Sequence, residues 1–155
     1  MNPDPENITL SRKELGNFLR KICSRGVSFK FTAKGMSMAP FIRDGDMLII
    51  EPYKKKIEIG DIVAYISPEE EDLFIHRIIG EKNGKYLLKG DNVYRRDGYC
   101  KPVSIHGYVK EIIRMGHAGA AQRFFYWLGR FKIIIAILSR YKILTPVCRV
   151  SNKFL

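Results

Sequence analysis

Cysteine is scarce in this chain of 155 residues: Cys23, Cys100 and Cys148 stand far apart and are odd in number. That count argues against a disulfide framework, and no pair has metal-ligand spacing. Buried free thiols are the expected state. Long apolar runs are missing too. No stretch reaches the roughly 18–20 uncharged apolar residues of a spanning helix. The nearest, from Phe124 to Leu138, is interrupted by Arg130 and Lys132. The opening Met1-Asn2-Pro3-Asp4-Pro5 is polar and acidic, without the basic start and apolar run of a secretory signal. Beyond Glu111 there is no aspartate or glutamate, while Arg114, Arg123, Arg130, Lys132, Arg140, Lys142, Arg149 and Lys153 all lie there.

What is present is a globular composition. The chain is 46% hydrophobic and 12% aromatic, enough for a real core and unlike a disordered chain. Net charge is +11, which draws the protein to anionic surfaces. The acid-free segment is also rich in Phe, Tyr, Trp and Ile. That mixture reads more naturally as membrane-surface than as nucleic-acid binding. An oligomer contact or a covered apolar face is the plainer alternative.

Residues 1–10 read as a lead-in. Ser11 with Glu14 three residues on is a capping-box pattern, Leu15, Phe18, Leu19 and Ile22 recur at helical spacing, and Gly26 is a stop. This predicts one short amphipathic helix from Ser11 to Ser24. From Val27 the period becomes two, with Val27, Phe29 and Phe31 on one face. Further strands are predicted at Met47–Ile50, Ile62–Ile66, Leu73–Ile79, Tyr86–Lys89 and Ile105–Ile113. Asn83-Gly84 marks a tight hairpin turn, and Gly45-Asp46 and Gly60-Asp61 are turns leading into strands. Three segments result: residues 1–26 with the short helix, a mainly β domain over 27–114, and a basic, aromatic-rich helical segment over 115–155. Within the last, Gln122 to Tyr141 reads as helix. Lys132 falls opposite Arg123 and Arg130, so it is not cleanly amphipathic. A broken or re-entrant helix and a helix covered by a partner both fit. Pro146 argues against helix far beyond it.

Three places could carry chemistry. Ser37 stands on a short loop, Gly35-Met36-Ser37-Met38-Ala39-Pro40, where a hydroxyl can project with backbone amides open to a developing oxyanion. His76 sits inside an apolar strand pattern and could serve as a base if a hydroxyl lies within reach. Asp91 and Asp97 straddle a turn, and one of them could accept the other imidazole N–H and fix the tautomer. Taken singly, each is ordinary: a capping serine, a structural histidine, a pair of turn aspartates. His106 and His117 read as structural or exposed. Lys54-Lys55-Lys56 and Arg95-Arg96 read as solvated faces. Met36 and Met38 suit a substrate pocket or the core equally.

Order and spacing join them. Gly35–Pro40, Gly45-Asp46, Gly60-Asp61-Ile62-Val63, His76-Arg77-Ile78 and Lys89-Gly90-Asp91-Asn92 follow one another as do the boxes of the signal-peptidase family. The chain resembles that family, in particular its archaeal and endoplasmic-reticulum branch, from about Gly35 to Arg114. The resemblance implies a compact antiparallel β domain and a serine endopeptidase that removes leader or signal peptides. In it Ser37 is the nucleophile, His76 the base and Asp97 the third member. Asp91 is a carboxylate near the site that holds the loop or assists His76. It implies no metal or organic cofactor, and a peptide or preprotein substrate bound as an added strand. It also implies a membrane surface or membrane-protein partner, no nucleic acid, and a membrane-associated protein, with a cytoplasmic one as the alternative. Many relatives read Ser-Gly-Ser-Met at the nucleophile; here Gly35 and Met36 replace the first two residues. The oxyanion then rests on backbone amides, including that of Ser37. The usual N-terminal anchor is missing, so attachment falls to the C-terminal segment or a partner. The short interval from His76 to Gly90 leaves a minimal catalytic core. A soluble processing protease, a self-cleaving repressor-type relative and a non-catalytic basic module are the competing readings.

Overall fold

The computed structural model describes residues 10–53 and 56–114. Among these residues one α-helix and a short 3-10 turn at Pro102–Ser104 accompany seven strands that form a single antiparallel sheet. The expected helical segment over 115–155, His117, Cys148, the lead-in over residues 1–9 and Lys54-Lys55 lie outside the described residues.

Helix α1 (Arg12–Ser24) begins where the sequence says it should. Ser11 is its N-cap, and the capping box with Glu14 is closed in both directions. Such a cap stabilises a helix by about 1 kcal/mol. The helix buries Gly16, Leu19 and Cys23. Gly16 permits close approach, because a Cβ there would already touch Ile66 and Leu73 at 3.5 Å. Leu19 is fully buried, which contributes roughly 1.5–3 kcal/mol.

The strands are β1 (Phe29–Thr32), β2 (Met47–Pro52), β3 (Ile62–Ile66), β4 (Leu73–Lys82), β5 (Lys85–Lys89), β6 (Gly98–Cys100) and β7 (Ile105–Ile113). Their order in the sheet is β1-β2-β7-β3-β4-β5-β6, and every pairing is antiparallel. Strands β2, β4 and β5 extend one to three residues past their expected ends, and two further points differ from the sequence reading. Val27 lies outside β1 and is exposed, because the chain is still leaving the helix: Val27 N–H donates to Ile22 O at 3.3 Å. Strand β6 was not expected, since three residues, Gly98-Tyr99-Cys100, carry too little pattern to register. The Asn83-Gly84 turn joins β4 to β5 with both residues at positive φ, 52° and 69°. That is the conformation a two-residue hairpin turn requires.

Side chains of β3 and β4 divide between two cores. Ile62, Ala64, Ile66, Leu73 and Ile75 pack with Leu19, Leu48 and Ile50 beneath α1. Val63, Tyr65, Phe74 and Ile78 pack on the other face with Tyr86, Leu88 and Ile105. Alternation therefore sends His76 to the second face, beside Tyr65 and Phe74, and Arg77 to the first. The two Gly-Asp corners share one construction. Asp46 and Asp61 each accept the N–H of the residue three positions back, Arg43 at 2.8 Å and Glu58 at 3.1 Å, and return their own N–H to its carbonyl. Each corner launches a strand, β2 or β3, in fixed register.

Candidate active site

Ser37 lies on the loop between β1 and β2. His76 is in mid-β4, and Asp97 stands just before β6. Their convergence follows from the sheet order, because β4, β5 and β6 are neighbours. The β4–β5 hairpin returns the chain to the level of His76. Asp97 N–H then donates to Leu88 O at 3.0 Å, docking the loop against β5.

The Ser37 hydroxyl lies 3.2 Å from His76 Nε2. On the other side of the ring, Nδ1 is hydrogen-bonded to Asp97 Oδ2. With the proton on Nδ1, directed at Asp97, Nε2 offers its lone pair to the Ser37 O–H. His76 is almost enclosed, its side chain 7% exposed, whereas Asp97 retains 21%. The imidazole is walled by aromatic rings, Phe74 at 5.8 Å and Tyr65 at 6.3 Å between centroids.

Asp91 turns to a different partner. Its carboxylate takes two bonds from Arg77, Nε at 2.9 Å and Nη2 at 2.7 Å, and is completely buried. Arg77 also donates to Gly60 O at 2.9 Å and stacks over Phe41 at 5.2 Å. These bonds tie the Gly90–Asn92 loop to β4. Asp91 N–H points at Met38 Sδ, 3.5 Å away. Met38 is thereby a core residue, 3% exposed, while Met36 is 48% exposed.

Gly90 explains why the loop can come so close. A Cβ on it would stand 2.8 Å from Ser37 O and 3.0 Å from His76 Nε2. Only a residue without a side chain fits here without displacing Ser37, Val93 or His76. Asn92 then ties the loop to the serine turn, with its N–H to Ser37 O at 2.8 Å and its Nδ2 to Met36 O at 3.1 Å.

Three residues at this site had no assigned role in the sequence. Arg77 and Asn92 lie inside the quoted boxes, but their partners are far away in the chain. Tyr65 lies outside every box. Burial, and after it the charge of nearby Asp97, hold the Tyr65 phenol far above its ordinary range, so it stays protonated. Cys100, behind Asp97, is pushed up to about 11 by burial and by that carboxylate, which leaves it an unreactive thiol. His106 is partly buried; burial and Arg20 lower its pKa, in keeping with a structural histidine. Among the described residues no cluster of His, Cys, Asp or Glu is placed to hold a metal ion. Among the same residues no helix is long and apolar enough to cross a membrane.

A comparison with curated proteins found no match. The family model described as Peptidase S24-like matches residues 9–110, a span that takes in α1, all of β1 to β6, Ser37, His76, Asp91 and Asp97. This chain belongs to the Peptidase S24-like family, a family of serine peptidases.

Proposed function

We propose that the chain is a serine endopeptidase acting through Ser37, His76 and Asp97, with a leader or signal segment of another polypeptide as its substrate. The observation that carries this reading is the continuous line from Ser37 Oγ through the His76 ring to Asp97. Ser37 Oγ attacks the scissile carbonyl carbon, and its proton passes to His76 Nε2. Asp97 stabilises the imidazolium. The tetrahedral intermediate collapses, the C–N bond breaks, and Nε2 returns the proton to the leaving amine. Water then gives a proton to Nε2 and hydroxide to the acyl carbon. The ester C–O bond breaks, Ser37 recovers its proton, and the acid is released.

The sheet supports a substrate in extended form. Among the described residues β1 is an outer strand, and Thr32 at its end leads directly toward Ser37. An extended peptide can add to such an edge as a further strand. Self-cleavage of the repressor type is the second reading within the family. One feature favours a separate substrate: His76 stands where the repressor-type relatives use lysine.

Membrane association belongs to the same proposal. Its supports are the basic, acid-free sequence beyond Glu111 and the exposed Phe18 of α1 among Arg and Lys residues. Reaction with a fluorophosphonate probe tests the enzyme: wild type is labelled at Ser37, while Ser37→Ala and His76→Ala are not. Equal behaviour of all three ends the peptidase reading. Co-sedimentation with anionic vesicles, with and without residues 118–155, tests the membrane part; unchanged binding removes that segment from the account.

A further inference from the structure

We propose that Asn92 is a positioning residue that sets the oxyanion hole, by holding the two peptide groups that flank Ser37. The inference rests on the peptidase reading above and names a residue to which that reading gives no task.

The serine box here has no hydroxyl to offer an oxyanion, because Gly35 and Met36 precede Ser37. Backbone amides must do it, and most of those nearby are already committed. Gly35 N–H donates to Asp44 Oδ1 at 2.7 Å. Ala39 N–H donates to Met36 O, and the amides of Phe41 and Ile42 donate to Met38 O. The Ser37 and Met38 amides are the ones whose direction Asn92 decides. In a trans peptide the N–H points opposite to the C=O. Asn92 Nδ2 bonds the carbonyl of the Met36–Ser37 peptide at 3.1 Å. Asn92 N–H bonds the carbonyl of the Ser37–Met38 peptide at 2.8 Å. Two successive carbonyls thus face Asn92, and both N–H groups face away from it. Successive backbone N–H groups turned the same way form an anion-binding concavity.

The two contacts differ in what a substitution can remove. The backbone contact survives any replacement except proline. The side-chain contact is lost in Asn92→Ala, and Asn92→Asp replaces the donor with an acceptor facing another acceptor. Both variants leave the Met36 carbonyl with the N–H of Ala39, one of its two recorded donors, and so loosen the Met36–Ser37 peptide and, with it, the Ser37 N–H. Neither touches His76 or Asp97.

The test is labelling kinetics with a fluorophosphonate, whose addition to serine develops negative charge on the phosphoryl oxygen. Wild type, Asn92→Ala, Asn92→Asp and Ser37→Ala are compared, with thermal melts to establish that each is folded. Expected is a fall of about 10- to 100-fold in the maximal labelling rate for Asn92→Ala, short of the order of 10²–10³ lost when an oxyanion donor is deleted outright. Asn92→Asp falls at least as far. The half-saturating probe concentration stays within about twofold, and the pH midpoint of labelling stays that of wild type, since the imidazole is untouched. Folded variants that label within about twofold of wild type overturn the inference and leave the peptidase reading intact. So does a loss confined to probe affinity, or a moved pH midpoint. A wild type that never labels overturns both together.

Discussion

Arg77 and Asp91 meet as a bidentate ion pair sealed from water, with side-chain exposures of 4% and 0%. Neither touches the scissile chemistry in the proposed reaction, yet the pair fixes the loop on which Gly90 and Asn92 reach Ser37. Removing one member strands the other as an uncompensated buried charge. Asp91→Ala should cost about 3–5 kcal/mol of stability, the range for breaking a buried pair. Replacing both residues with apolar side chains of similar volume should cost much less. Urea unfolding of the two variants measures this, and equal losses would contradict it.

Gly90→Ala tests the closeness of nucleophile and base. The added methyl would lie 2.8 Å from Ser37 O and 3.0 Å from His76 Nε2. One of them must move, and the first is backbone. The variant should fold, with an overpacking cost of about 1–3 kcal/mol. Its labelling rate should drop on the order of 10²-fold, because a 1 Å misplacement of reacting groups is that expensive. A folded variant with wild-type kinetics would show that the contact can relax without disturbing Ser37 or His76.

Much of the scaffold was readable before any coordinates. Capping at Ser11 and Glu14, the Asn83-Gly84 turn and the strands of period two are local signals, and they mark α1, the β4–β5 hairpin and most of the sheet. The position of Ser37 beside His76 and Asp97 was approached through ordered boxes, not through physics. Residues 39 and 21 positions apart have no local reason to meet. Roles settled by long-range pairing stayed hidden for that reason. Nothing near Asp91 in sequence says that Arg77 will take its carboxylate, and nothing near Tyr65 points to Asp97. Strand β6 failed differently: its pairing with β5 is decided by the loop that Asp97 docks, not by its own three residues.

Asp46 gives stability a pH dependence of known sign. Burial works to raise its pKa, but hydrogen bonds and charge from Arg114 and Arg43 outweigh it, and the carboxyl titrates below its ordinary value. Arg114 reaches it through Nε at 2.7 Å and Nη2 at 2.5 Å. A carboxyl depressed in the folded state contributes stability above its unfolded pKa of about 3.9, and loses it as pH falls through the folded pKa. Asp46→Asn should therefore be less stable than wild type at pH 7. The gap should close below about pH 4, where wild type surrenders the same interaction. Denaturant midpoints of both proteins between neutral and acid pH measure the gap; a constant difference would remove Asp46 from the acid response.

Tyr65 bears on the triad from behind. Its phenol is buried and feels the charge of Asp97, the carboxylate bonded to His76 Nδ1. Its ring stacks on Phe74 with centroids 5.6 Å apart. Tyr65→Phe keeps the stack and removes only the hydroxyl, so stability should change by no more than about 1 kcal/mol, the net worth of one hydrogen bond. Asp97, still 21% exposed, would lose the polar phenol from its surroundings. Its orientation toward His76 should loosen, and the labelling rate at Ser37 should fall by about threefold to tenfold with probe affinity unchanged. A faster Tyr65→Phe enzyme would reverse the sign, because it would mean that Tyr65 competes with His76 for Asp97. An unchanged rate would show that Asp97 is held without the phenol, by its backbone bond to Leu88 and its contact with His76 alone.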